Sequence, residues 1–544
     1  MFFIQETFDH LDMAFVLKRL TVYTPYGEQQ KKWIRPYKKE ESEELKAELD
    51  RVQEVVRLIG RYRYQFVEIR NQFKKIKDLS GTLDRLMVGE VLSVTEMFEL
   101  KVLVALMRQI NERLHQLKWD IPEHVLVTRI EAIELLLDPE QSGIATFYLY
   151  DAYSERLKEI RTEIKTFEQR ILTERKAIRK ELESRLQMRF RPTGEITINK
   201  QNKDQIKQVE EVEELVYGSE TYINITFKIK STPSMDALEA RIEDLKAQEE
   251  DEAYEVRKQL SKQLTAYTDC LAKNVAAIGN LDVLMAKGYY SIGIDGIKPE
   301  LVSDGRLTIR NGRHIKVAHT LSKEGMDFTP ITMELKNGVT CITGANMGGK
   351  TVTLRLVGML SAMAQMGLYV PAEAMEFSMR DFIFISMGDA QDADMGLSTF
   401  GAEIVKISDV VERSDKDGLI LIDELARGTN PKEGYAISKA IINYLKAKTS
   451  IGVITTHFDG LADDEDVLHL QVKGLSGVDF KVLFKELQIS GEEGIRSLHK
   501  HMDYQLQEIH HAEEVPKDAI NISRLMGLNE NILEDAKEIL ETHF

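Results

Sequence analysis

Apolar residues in the first 150 positions recur at helical spacing, as in Leu45, Leu49, Val52, Val56 and Ile59, with breaks at Gly60, Gly81 and Asp120-Ile121-Pro122. The pattern predicts an all-helical core over 1–150. From Leu157 it tightens into steps of three and four, through Ile160, Ile164, Phe167 and Ile171 to Ile178 and Leu182, with one gap at Glu174. That is a coiled-coil seam, giving an arm over 151–190. A second seam at Leu238, Ile242, Leu245, Val256, Leu260, Leu264, Tyr267 and Leu271 places a returning arm and more core in 234–303. Between them, over 191–233, β-like runs at Glu195–Asn199 and 221–230 flank the acidic stretch 209–215. Two long antiparallel helices therefore carry a small β-containing tip, and an arm of about 35 residues reaches roughly 50 Å. Two ordinary bundle helices with an inserted hairpin satisfy the same pattern.

Beyond about Asp304 the texture becomes strand and helix in alternation. Short apolar runs at 339–343, 382–386, 419–422 and 452–455 each end at a polar or glycine-bearing turn. This predicts a doubly wound α/β domain with a parallel sheet over 304–510, whose ligand lies off the carboxyl ends of the strands. A helical segment closes the chain at 511–544.

The chemistry sits at those strand ends. Gly344, Ala345, Asn346, Met347, Gly348, Gly349, Lys350 and Thr351 spell a complete phosphate loop between a strand and a helix. The glycines let backbone N–H groups approach a triphosphate. In this arrangement Lys350 reaches the β- and γ-phosphates of ATP, and Thr351 ligates Mg²⁺. About seventy residues on, the apolar run 419–422 delivers Asp423 and Glu424 to the same edge. Asp423 is placed to hold Mg²⁺, Glu424 to orient and deprotonate the attacking water. One strand later His457 is a candidate γ-phosphate sensor, with a structural histidine as the alternative. Ser398 lies in the turn 396–403 that opens a helix; it is either an oxyanion ligand or a plain helix cap.

Composition adds limits. The 544 residues hold 72 lysines and arginines against 89 acids, a net charge of −17, which does not advertise a nucleic-acid binder, although charge must be judged region by region. Two isolated cysteines, Cys270 and Cys341, make neither a disulfide framework nor a metal site and fit a reducing cytoplasm. No signal peptide and no apolar window long enough for a membrane are legible.

Several stretches in order resemble the MutS family of ATPases, of the ABC-type fold: the phosphate loop, Met363-Ala-Gln-Met-Gly-Leu-Tyr-Val-Pro371, Gly388-Asp-Ala-Gln391, Leu397-Ser-Thr-Phe400, Asp423-Glu-Leu-Ala-Arg-Gly-Thr429 and Thr455-Thr-His457. The likeness is specific over roughly 330–460. It is weaker at Leu20-Thr-Val-Tyr-Thr-Pro-Tyr-Gly27, at Leu281-Asp-Val-Leu284 and over 520–540. The resemblance implies a homodimer, or a dimer with a related subunit, held partly by 511–544. In that dimer Ser398 acts on the other subunit's γ-phosphate, and the arms and tip close around DNA.

Three departures modify this. The helical core begins almost at Met1, so the expectation is a truncated member lacking the mismatch-recognition and connector domains; Phe66-Val67-Glu68, the one Phe-x-Glu tripeptide considered as a mismatch wedge, falls in a helical pattern. Asn430-Pro-Lys-Glu-Gly434 is closer to the branch with a C-terminal nuclease tail, yet no such tail is expected before Phe544. The tip from Arg191 to Pro233 has six basic and seven acidic residues, whereas 151–191 has twelve basic and eight acidic. Two loads therefore stay open. DNA of branched or deformed shape is favoured; the alternative is a protein client, as in MutS-like reactivation factors for cobalamin-dependent aminomutases.

Overall fold

Runs in which every residue is buried, without alternation, form strands covered on both faces. Gly338–Thr343, Phe382–Ser386, Gly418–Ile422 and Ile451–Thr455 are four such runs. The computed structural model describes residues 2–141, 147–344, 349–387, 399–426, 429–458, 460–474, 502–509, 520, 523–524 and 528–543. By contact the chain divides into two units: Lys75–His115 with Pro122–Ala277, and Met1–Lys74 with Gln116–Ile121 and Ile278–Phe544.

In the first of these, the helices Glu155–Leu186 and Pro233–Thr265 pair along their length. Ser154 bonds Glu252, Arg161 bonds Glu249 and Thr232 bonds Glu174, so partners fall in number along one helix as they rise along the other, and the pair is antiparallel. Ile160, Ile164 and Ile171 bury against Met235, Ile242 and Leu245, all of them expected seam positions except Met235. Ser154 and Thr232 cap the two helices through bonds from Leu157 N and Met235 N. At the far end a three-stranded antiparallel sheet, β1 (Glu195–Asn199), β2 (Leu215–Glu220) and β3 (Asn224–Ile229), has the order β1-β3-β2. Its core joins Ile196, Ile198 and Phe227 to Leu182 and Leu186 of the arm. The second strand, over 215–220, was not among the expected runs.

The other unit holds two sheets. A four-stranded one combines β4 (Glu300–Leu301), β5 (Leu307–Gly312), β6 (Ile331–Leu335) and β8 (Ala374–Phe377) in the order β4-β8-β5-β6. The larger has the order β13-β12-β7-β11-β10-β9, where β7 is Gly338–Thr343, β9 Phe382–Ser386, β10 Gly418–Ile422, β11 Ile451–Thr455, β12 Val467–Gly474 and β13 Asp503–Glu508. All its pairings are parallel except β12 with β13. Ile422 pairs with Ile454, and Ile342 with Thr455, so β7, β10 and β11 end level at one edge.

The chain's first helices are built into this unit. Asp12, at a left-handed φ of 54°, accepts bonds from Arg355 and, at 2.7 Å, Lys316. Arg355 lies on the helix Lys350–Gln365 and also reaches His10 O. Buried His314 stands beside this cluster, held down at about 4 by desolvation and the Arg355 charge. Further along, Thr24 caps the helix Pro25–Lys31 by accepting from Gly27 N. Asp282 Oδ2 takes bonds from Tyr23 N, Thr24 N and Thr24 Oγ1 at 2.7–2.8 Å. A Cβ on Gly27 would stand 2.3 Å from that oxygen, which explains the glycine. Asp282→Ala is expected to lower unfolding stability by about 2–4 kcal/mol in a denaturant titration, because buried donors lose their only acceptor. Phe66 is fully buried in the helix Arg63–Phe73, as its pattern implied, and presents no wedge.

Candidate nucleotide site

Gly344 follows β7 at φ 129°, and Gly349 caps the next helix at φ 84°, both in conformations that glycine adopts without steric cost. Ala345, Asn346, Met347 and Gly348 lie outside the described residues. Lys350, only 5% exposed, donates to Gly344 O at 2.7 Å. Burial lowers its pKa, against the opposing pull of Glu424 and Asp423. A cation buried against Gly344 O is ready for an anion of higher charge than a carbonyl oxygen.

The strand ends bring the other groups together. Thr351 Oγ1 donates to Asp423 Oδ2 at 2.6 Å, and Thr455 Oγ1 donates to Asp423 Oδ1 at 2.6 Å. Thr455 Oγ1 in turn accepts from Glu424 N at 2.9 Å. One hydroxyl thus fixes both members of the acidic pair: the carboxylate of the first and the backbone of the second. Glu424 and Ala426 have positive φ of 52° and 60°, strained values for side chains with a Cβ. Ala426 N is held by Glu403 Oε1 at 3.2 Å, from the helix Thr399–Glu412. Burial raises the pKa of Glu403.

Thr351 and Asp423 present a hydroxyl and a carboxylate side by side, hard oxygen donors of the kind Mg²⁺ takes when phosphates and water complete its shell. His457 follows β11 by two residues and is exposed, its ring 4.6 Å from that of Phe458. Ser398 lies outside the described residues.

Sequence reasoning gave no role to Thr455, although it stands in the Thr-Thr-His run and its strand register was the available signal. It also missed the pocket beside Gly349. This cavity of about 460 Å³ is walled by Val317, Leu321, Phe328, Ile331, Val352 and Tyr504. The Tyr504 ring lies 3.0 Å from where a Cβ on Gly349 would be. An apolar slot next to a phosphate loop suits a flat base. Phe328 and Tyr504 lie far apart in sequence and in no motif.

Thr455→Val should lower kcat for ATP about 10–100-fold with little change in KM, and Thr455→Ser should restore most of it; an unchanged unfolding temperature beside the kinetics separates this from a loss of folded protein, which also lowers apparent kcat at constant KM.

Comparison with known proteins gives a consistent picture. Residues 340–543 match the family described as MutS domain V. The chain is 29% identical over 407 residues to the endonuclease MutS2 of Exiguobacterium sibiricum, covering 72% of this chain and 50% of that protein. With the endonuclease MutS2 of Halalkalibacterium halodurans identity is 36% over 224 residues, 41% of this chain and 28% of the relative. With that of Caldanaerobacter subterraneus it is 31% over 313 residues, 56% and 35%. The aligned parts thus span half or less of each of these relatives.

Proposed function

We propose that this chain, whose residues 340–543 match MutS domain V, is a MutS-family protein: a dimeric, Mg²⁺-dependent ATPase acting on branched or deformed DNA rather than reading mismatches. The observation that carries the ATPase reading is the chain of bonds Thr351–Asp423–Thr455–Glu424 at the end of the parallel sheet. ATP lies with its phosphates on the loop 344–351 and its base against Phe328 and Tyr504. Lys350 exchanges its bond to Gly344 O for the β- and γ-oxygens. Thr351 and Asp423 hold Mg²⁺, which neutralises developing phosphate charge when bound. Glu424 takes the proton of the attacking water, and His457 contacts the γ-phosphate. Ser398 comes from the second subunit, a copy of this chain or a related one, with 511–544 contributing to the interface. Closure of the dimer on ATP and its reopening after hydrolysis would move the paired helices.

For DNA, the support is regional charge. Along the first arm Lys165, Arg170, Lys176, Lys180, Arg189 and Arg191 are exposed and have no ion-pair partner among the described residues. Exposed Glu163, Glu168 and Glu181 offset half of that charge. The recognition mode suited to such a surface is phosphate contact and shape, not base readout. Binding to four-way and forked duplexes over a salt series tests it. The expected result is log K falling against log salt with a slope of about −3 to −5, from three to five phosphates neutralised. No measurable affinity at about 50 mM salt, or a flat salt response, removes the DNA reading.

One observation favours the protein-client alternative, such as reactivation of a cobalamin-dependent enzyme. The tip carries Val216, Tyr217, Tyr222 and Ile223 exposed on one hairpin, Tyr222 at 98%, beside an acidic balance. Tyr217→Ser with Tyr222→Ser would leave DNA affinity intact and abolish client rescue if that reading holds. Among the described residues no helix is long and apolar enough to cross a membrane, and we place the protein in the cytoplasm.

A further inference from the structure

A second cavity lies in the helical part of the nucleotide-bearing unit, lined by residues of the first seventy-four and of the helix Thr268–Gly293. Its volume is about 360 Å³, and its walls include Arg19, Tyr23, Arg70, Met285, Tyr289 and Tyr290. Arg70 contacts two rings: its guanidinium carbon is 4.7 Å from the centre of Tyr23 and 4.2 Å from that of Tyr289. It also donates to the Tyr23 hydroxyl. A guanidinium has five N–H donors, so those not taken by Tyr23 remain for a ligand, and the planar fork is the part that recognises two oxygens at once.

Arg19 packs on Phe15 at 4.7 Å and lies 3.3 Å from His319 Nδ1, and Lys74 Nζ lies 5.3 Å from the Tyr23 ring. Among the described residues neither arginine nor Lys74 has a carboxylate ion pair. The only carboxylate in the lining, Asp282, is 1% exposed, and its Oδ2 is already taken by three donors. Burial pushes its carboxyl above the usual range, against the opposing pull of the Thr24 and Tyr23 donors. Tyr290 is 6% exposed, and its buried hydroxyl has no hydrogen-bond partner. Buried hydroxyls of that kind are uncommon and costly, and a ligand acceptor would satisfy this one.

We propose that this cavity binds a small phosphate monoester with an apolar or planar substituent. Arg70 and Arg19 grip the phosphate, the Tyr290 hydroxyl completes its shell, and Met285 with the tyrosine rings covers the organic part. A substituent gains affinity by burial, so the site prefers an ester to free phosphate.

The test uses the full chain carrying Lys350→Ala, so that the triphosphate site contributes nothing and failure of one site is distinguishable from failure of the other. Calorimetric titration with phenyl phosphate and with inorganic phosphate is expected to show one saturable site, with phenyl phosphate at least about threefold tighter and a Kd of about 0.1–1 mM. Arg70→Lys, which keeps the charge and loses the planar fork, should weaken binding at least about tenfold, and Arg19→Gln comparably. Tyr290→Phe should weaken it about threefold while the unfolding temperature in the absence of phosphate stays the same or rises. Absence of saturation by both probes up to about 10 mM overturns the proposal, as does affinity unchanged in Arg70→Lys and Arg19→Gln in folded protein.

Discussion

Glu424→Gln is expected to bind MgATP with wild-type affinity and to hydrolyse it about 10²–10⁴-fold more slowly, the range that loss of a general base produces. The local structure gives a reason for so clean a separation. The Glu424 N–H donates to Thr455 Oγ1, and its φ is 52°. Glutamine keeps the same Cβ, the same length and the same backbone bond. It cannot accept a proton from water at neutral pH. Binding measured by a fluorescent nucleotide and turnover measured by phosphate release should therefore part company. If both fall together, the carboxylate holds the site rather than the water; if neither falls, the base is elsewhere.

Lys350→Ala is expected to weaken ATP binding about 100-fold or more, roughly 3 kcal/mol, with turnover falling accordingly. Lys350 is buried and its charge disfavoured by desolvation, so without ligand its ammonium is supported by Gly344 O and by the carboxylates of Asp423 and Glu424. A bound triphosphate would repay that desolvation. Removal of the lysine leaves the phosphates facing Asp423 and Glu424 without a cation between them, while the free protein loses a buried charge that is costly to hold. Stability without nucleotide is thus expected to change little or to rise, and the effect on binding to dominate. Equal losses in both would point to a structural lysine.

The central parallel strands were legible because unbroken apolar runs have one economical use in an α/β protein, and β7, β9, β10 and β11 start and end within a residue of the runs that announced them. The seam positions of the two arms were legible for the same reason at helical period. What periodicity leaves out is the partner of each face. The helix Ser42–Arg61 shows an amphipathic face from Leu45 onward, but nothing local says that Glu48 ion-pairs with Lys287, or that Tyr37 N bonds Gln365 O. Contacts of that range group Met1–Lys74 with the nucleotide-bearing unit, whereas sequence texture grouped them with the following helices.

In the candidate site the motif residues were visible as motifs, and Thr351 with Asp423 now stand in direct contact. Ser398 lies outside the described residues, and its action across a dimer stays within the proposal. Thr455 and Tyr504 were invisible because a threonine in a buried strand and a tyrosine in a half-buried one carry no signature until register and fold bring them to the loop.

The most direct test of the ATPase account is single-turnover hydrolysis of radiolabelled ATP by the purified chain, with and without Mg²⁺ and four-way DNA, beside Glu424→Gln and Lys350→Ala. Mg²⁺-dependent release of phosphate is expected from the wild type, with release at least about 100-fold slower from Glu424→Gln and from Lys350→Ala at ATP concentrations that saturate the wild type. Hydrolysis by Glu424→Gln within about tenfold of the wild-type rate, or a wild type that binds MgATP and never cleaves it under any of these conditions, would contradict the assignment.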